Sequence, residues 1–576
     1  MFAPDGTPWA ISDGKVVKVD LAGGRHTPVA LDVKEPAAIA FDKAGELFVY
    51  DSAAGQLVVR VFDQAGKPLR TIGTPGGRVA GPYDPQRFTS GPWVAVDIAI
   101  DGKDQLWVVE YDSSPKRVSI WGVDGAFKKD LFGNTPYGGG GALDRYDKSR
   151  LFYEGFEFAL DWKTAQTSLK NVLWRGNAAA GEQPILYKDR LYLVTRPLFS
   201  GQSVGIVYLY EKDRVRCVAA VGQAGRFPML RKPDILDKLG KKPIGYCYFA
   251  WSDRSGDGQP QADEVEFFDV AAGSTGSPQA GRPEDCGKFD ETLGIDTPGY
   301  RYEVKELLAN GAPVYEWKKK AFRDLAFRMD NGQFFVVNNH ERMAAVTADG
   351  QAVWTHPAEG WGTHALNQAR PWFPGQVVAQ FGVVGHETTH AGDLGEFFVT
   401  HGNSGIWHIW SADGLLAGQL FRDMRGPGAR PWSMAEHARG LDLTGVTVGQ
   451  EHFNGYFCRT RQDNRYYAVA GHNHASVVEV LGMDKFKRFG GDLIVSRQDV
   501  EAATEWDRRV QARKLYESAK IIECRRLRGS VTLDGDPAEW DFESARLDDR
   551  EASFSMAYDD VNLYVCYKAR NLGPMK

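Results

Sequence analysis

The chain has 576 residues, of which 43% are hydrophobic, with a formal net charge of −6. No basic stripe accompanies that charge, so nucleic acid is excluded as a main partner. No apolar run is long enough to span a bilayer as a helix. Sixty-four glycines and 12% aromatic residues fit many short strands joined by tight turns, not a helix bundle.

Taken in chain order, Met1–Gly6 begins inside a strand–turn pattern rather than a leader. The chain therefore reads as a fragment missing its true start, and an extracytoplasmic site, periplasmic or secreted, is a separate expectation. From there the sequence repeats itself. Ile39–Gly73, Ile98–Gly133 and Leu325–Trp354 share one rhythm, which returns in Gly395–Leu415 and Tyr466–Phe489. Each unit offers a strand, an Asp/Gly turn, a second strand, a polar loop, a third strand, an Asp-Gly turn and a last strand. That is a four-stranded antiparallel meander, and several such sheets must pack radially to bury both faces. The units resemble NHL-type β-propeller blades. The resemblance covers most of residues 6–495 and implies an all-β propeller of about six to eight four-stranded blades. It implies little about function, because propellers host binding, lyase, hydrolase and redox roles.

Within the less regular stretch 135–320 lies Asp253-Arg-Ser-Gly-Asp-Gly-Gln-Pro-Gln-Ala-Asp-Glu264. Its spacing is that of an EF-hand-like calcium loop. Asp253, Ser255 and Asp257 offer side-chain oxygens at positions 1, 3 and 5, and Gly258 permits the sharp turn. Gln259 offers its carbonyl, and Glu264 closes the site bidentately. Ser255 replaces a carboxylate or amide, and Pro260 lacks the N–H that a paired loop uses. The flanks Tyr246–Trp251 and Val265–Phe268 read as strands. An isolated structural Ca²⁺ loop, inserted near 246–268, is therefore expected. An acidic surface turn would carry the same residues.

Val500, Ala503, Trp506 and Val510 recur at helical spacing, with Ser496 and Asp499 as caps; residues 496–520 read as a linker helix. Residues 521–576 follow. Leu533–Trp540 and Ala557–Val565 resemble the opening of a family 9-like carbohydrate-binding module, which implies the start of a β-sandwich and a carbohydrate ligand. Asp559–Asn562 is turn chemistry between two alternating strands.

Histidines supply the other candidate chemistry. His386-Glu-Thr-Thr-His390 is an H-E-x-x-H string, which binds zinc only on a helix. The repeat register puts it on a blade's first strand, where the two imidazoles are too far apart for one ion. The loops after second strands hold Asp51, Asp112, His340, His401 and the His472/His474 pair. These equivalent slots predict one rim, with His386 and His452 near the same rim. Converging histidines would bind a transition metal such as Zn²⁺ or act as acid and base. Polar turns accumulate His, Asn and Asp for local reasons too. The Gly138–Gly141 run lacks a phosphate-loop pattern and reads as a turn. The six cysteines form no C-x-x-C pair.

Three functions are left open. The first is a calcium-stabilised exported propeller that binds carbohydrate or assists polysaccharide processing. The second is a His-dependent metal lyase or hydrolase at the rim. The third is a scaffold with protein partners on the propeller faces.

Overall fold

The computed structural model describes residues 1–569 except 90–94, 112–115, 134–139, 174–181, 196–203, 241–243, 270–287, 298, 323–325, 339–341, 360–372, 374, 379, 389–390, 403, 425, 432–438, 450–454, 472–474, 493, 519–524, 527–531 and 533–551. The chain divides into two compact units. The first comprises Met1–Pro371 and Gly375–Gly490. The second comprises Trp372–Pro374 and Gly491–Lys576.

The first unit is a β-propeller protein of small antiparallel sheets in sequence order. Sheet A spans residues 9–28, B 36–72, C 95–132 and D 142–172. Sheet E spans 183–269, F 295–319, G 326–359, H 380–420 and I 456–480. One local device recurs between third and fourth strands. Gly66, Gly125, Gly350 and Gly414 adopt φ of 84°, 93°, 86° and 90°. A bulge falls beside each, at Val61/Phe62, Ile120/Trp121, Ala345/Val346 and Ile409/Trp410. This is a type I turn closed by a left-handed glycine, so the repeated Asp/Gly signals of the sequence are a folding instruction.

Sheet B shows how the layers pack. Every residue of strand Leu47–Asp51 is buried. Leu47 and Val49 face sheet A with Trp9 and Val16. Phe48 and Tyr50 face sheet C with Ile98, Leu106 and Trp121. The period of two thus feeds two cores from one strand.

Sheets D to I close on one another. Phe152 and Leu173 of D pack with Leu193 and Tyr208 of E, and Ile185 and Tyr192 of E with Ile295 and Tyr302 of F. The inner strands Ile295–Thr297 and Ala326–Arg328 join F to G. Phe335 of G stacks on Phe398 of H at 4.2 Å, and Phe397 of H meets Phe457 and Tyr466 of I. The seam back to D is Ala142, Leu143 and Leu151 against Tyr456, Cys458, Tyr467 and Val469. A six-sheet ring over 142–480 results, at the lower end of the expected blade count. Sheets A to C form an arc of their own. It is tied to the ring where Gly81–Pro82 pairs with Asn171–Val172 on the outer edge of D.

Sheet E carries two extra outer strands, Cys247–Ser252 and Val265–Asp269, as the flanking sequence predicts. Cys217, Cys458 and Cys566 are free thiols. No helix among the described residues is long and apolar enough to cross a membrane.

The second unit contains the helix Arg497–Ser518. Asp499 accepts the Ser496 N–H at 3.0 Å, and the Ser496 hydroxyl accepts the Asp499 N–H at 3.1 Å. Trp506 and Val510 pack with Phe373. Val500, at the same helical spacing, is 55% exposed. Ala552–Tyr558 and Leu563–Ala569 form the expected hairpin. Leu533–Trp540 lies outside the described residues.

Candidate functional site

Trp251 pairs with Val265 in register, so the twelve-residue loop Asp253–Glu264 caps a hairpin and has no helix on either side. The Asp253 carboxylate is fully buried. Its Oδ1 accepts N–H groups of Gly256 at 2.9 Å and Gly258 at 3.1 Å. Its Oδ2 is ion-paired with Arg216 from the neighbouring strand. Gly258 has φ of 74°, and a Cβ there would lie 3.2 Å from the Arg216 Cγ. Glu264 is buried. Its Oε1 accepts the Ser255 N–H at 2.7 Å and its Oε2 the Trp251 indole N–H at 3.1 Å.

The oxygens crowd around the Ser255 hydroxyl. Asp253 Oδ1 is 3.4 Å away, Asp257 Oδ1 3.2 Å and Gln261 Oε1 3.2 Å. One hydroxyl proton serves one acceptor. The remaining contacts are oxygen against oxygen, a donor set that suits a hard cation. Gln261 is the residue sequence reasoning missed; it holds position 9, which contributes in such loops often through water. Gln259 donates its N–H to Asp257 Oδ1 at 2.8 Å. Among the described residues no three His, Cys, Asp or Glu side chains converge as a metal cage. In the loop the reason is visible: Glu264 is turned onto Trp251, and Arg216 holds one oxygen of Asp253. Asn310, on the hairpin of sheet F, donates to the Asp253 carbonyl at 2.8 Å. The loop therefore sits where E and F meet.

The histidines do not gather as expected. His340, His452, His472, His474 and His390 lie outside the described residues. His386 and His401 share sheet H, but the register pairs His386 with Phe398 and Gly382 with His401. Four residues along a strand separate them by about 13 Å. His386 therefore belongs to the opposite end of the sheet from His401, and the two cannot share one ion. Of the H-E-x-x-H string, His386 and Glu387 end strand Gln380–Glu387. Glu387 points away from His386 and accepts from Arg145 at 2.7 Å and from the Arg459 N–H at 2.9 Å.

The end of the ring that holds His386 collects groups from several sheets. His386 Nε2 lies 2.8 Å from Glu396 Oε1, and its ring stacks on Phe398 at 4.3 Å. Glu396 also accepts the Asp330 N–H at 3.1 Å. Desolvation, then the charge of Glu396, raises the Asp330 carboxyl above its ordinary range. Arg145 pairs with Glu291 at 3.0 Å, and Arg461 with Glu291 at 3.4 Å. Arg145, Asp330, Glu396 and Arg461 follow the innermost strands of their sheets and Glu291 precedes one, so only the assembled ring brings them together.

No family model and no curated protein matches the chain. Among solved structures, BamB from Moraxella catarrhalis is similar over 82% of this chain and 96% of its own, at 10% identity and a TM-score of 0.22. The RRP9 WD40 repeats are similar over 55% and 93%, at 13% identity and a TM-score of 0.17. A chain of a nidogen/laminin complex is similar over 34%, at 18% identity and a TM-score of 0.16. The present chain spans 66% of that one. At such values the likenesses carry no argument, and the propeller architecture rests on the sheet topology.

Proposed function

We propose that the chain is a calcium-stabilised, extracytoplasmic propeller that recognises carbohydrate. The observation that carries the calcium assignment is the Ser255 hydroxyl facing three acceptors with one proton. Asp253, Ser255, Asp257, the Gln259 carbonyl and Gln261 would hold the ion. Glu264 would complete the set by releasing Trp251. Bound calcium would neutralise the loop's carboxylates and hold the outer hairpin of E against F. The carbohydrate assignment is supported by the resemblance of Leu533–Trp540 and Ala557–Val565 to a family 9-like module.

Elemental analysis and calorimetry with and without chelator test the calcium assignment. One bound calcium and a melting temperature lowered by chelator are expected, because a ligand of the folded state stabilises it. Asp257→Ala should remove both the ion and the chelator effect. An unchanged melting temperature with no calcium found would refute the assignment.

A second reading is favoured by the His386–Glu396 pair beside Asp330: acid–base chemistry on a glycan at that end of the ring. His386→Gln would then abolish turnover while leaving the melting temperature unchanged.

A further inference from the structure

Sheet C ends the arc, and its two faces differ. Ile98, Leu106, Val108 and Trp121 are buried against sheet B. The opposite face is open: Tyr111 is 55% exposed, Leu131 43% and Val109 37%. Trp107 is partly exposed on the same face, since residues 107, 109 and 111 alternate with the buried 106 and 108. An aromatic and aliphatic surface of this kind on a sheet end calls for a ligand.

The register fixes the layout. Trp107 lies between Ala99 and Ile120, and Lys129 is the next residue outward in that row. Val109 lies between Asp97 and Val118. Lys116 projects over the Tyr111 ring, with its Nζ 5.2 Å from the centroid. The Trp107 indole N–H is already held by Asp101 at 3.0 Å, which fixes the ring in place. Trp107 and Tyr111 stand about 13 Å apart along the strand, the reach of a short oligosaccharide.

We infer that this face binds an acidic polysaccharide, with sugar rings stacked on Trp107 and Tyr111 and carboxylate or sulfate groups paired with Lys116 and Lys129. Flat indole and phenol faces accept the C–H surface of a pyranose, and their polar edges tolerate water. Lys116, Lys129 and Lys128, whose Nζ lies 3.3 Å from the Gln105 Oε1, outnumber Asp97 and Asp101 on this face, on a chain of net charge −6, so charge selects an anionic glycan. The inference rests on the carbohydrate reading above and gives it a location apart from the C-terminal unit.

The test uses the full chain, with oligogalacturonate as probe and a neutral galactan as control, followed by titration calorimetry. Tyr111→Ala, at an exposed position, should weaken oligogalacturonate binding at least about tenfold. Trp107→Ala should do the same, and Lys116→Glu should weaken it in a salt-dependent way. Equal binding of the neutral galactan would overturn the acidic class. Glycan binding that survives Tyr111→Ala and Trp107→Ala would overturn this face while leaving the carbohydrate reading intact. No binding of either glycan would overturn both. Concentration-dependent self-association abolished by Tyr111→Ala would assign the face to a second copy of the chain instead.

Discussion

His408 on strand Trp407–Ser411 shows how one buried group sets a pH response. Its Nδ1 is shielded from solvent and has no hydrogen-bond partner. Desolvation lowers its pKa to about 4, against the opposing charge of Asp423. In the unfolded chain the imidazole titrates near the ordinary value of about 6.5. Between those values the unfolded state holds a proton that the folded state refuses. Stability is therefore full above about pH 6.5 and falls as the pH drops toward 4, by at most about 1.4 kcal/mol per pH unit. Thermal melts at pH 7 and pH 5 should show this loss, and His408→Gln should shrink the difference. An identical pH dependence in the variant would mean that other groups carry it. At the same scale, Ser255 shows what spacing cannot reveal. The motif places oxygens at positions 1, 3 and 5, but the shared hydroxyl and the Arg216 contact appear only once the neighbouring strand is in place.

Among the elements, the helix Arg497–Ser518 was legible because its signals are local. Ser496 and Asp499 satisfy each other's N–H groups within three residues of sequence, and Trp506 and Val510 share a face. Val500 shares that spacing yet stays exposed, since burial depends on where Phe373 meets the helix. Ser496→Ala should cost about 1 kcal/mol at the helix start. The expected readout is faster hydrogen exchange at the amides of the first turn, with exchange in sheets D to I unchanged. Protection that stays the same would show the box to be dispensable. The turns between third and fourth strands were equally legible. Asp-Gly at Asp124–Gly125, Asp349–Gly350 and Asp413–Gly414 demands a left-handed glycine, and the glycine sets the bulge.

For the molecule as a whole, the seam between D and I decides whether the ring is closed. Lys148 donates to Asp463 at 2.5 Å and lies 4.9 Å from the Trp162 ring centroid and 5.6 Å from that of Tyr467. Asp463 is held well below the usual carboxylate range: desolvation opposes this, but Lys148 and Thr460 outweigh it. These residues are 315 positions apart in sequence, so the contact exists only in the closed ring. Lys148→Met should lower stability by about 2 kcal/mol. Its effect should be far from additive with that of Asp463→Asn in a double-mutant cycle of unfolding free energies. Strict additivity would show the two side chains to be independent and the seam to rest on its apolar core alone.

By itself the sequence determined the β meander, the turn types, the spacing of oxygens along Asp253–Glu264 and the helix cap, because each depends on residues a few positions apart. The tertiary structure decided the rest. It chose the sheets that close a ring and left the face of C uncovered. Strand register separated His386 from His401, and assembly of the ring joined Arg145, Glu291 and Arg461 at one end. These outcomes depend on packing between segments hundreds of residues apart, and no local propensity encodes such distances.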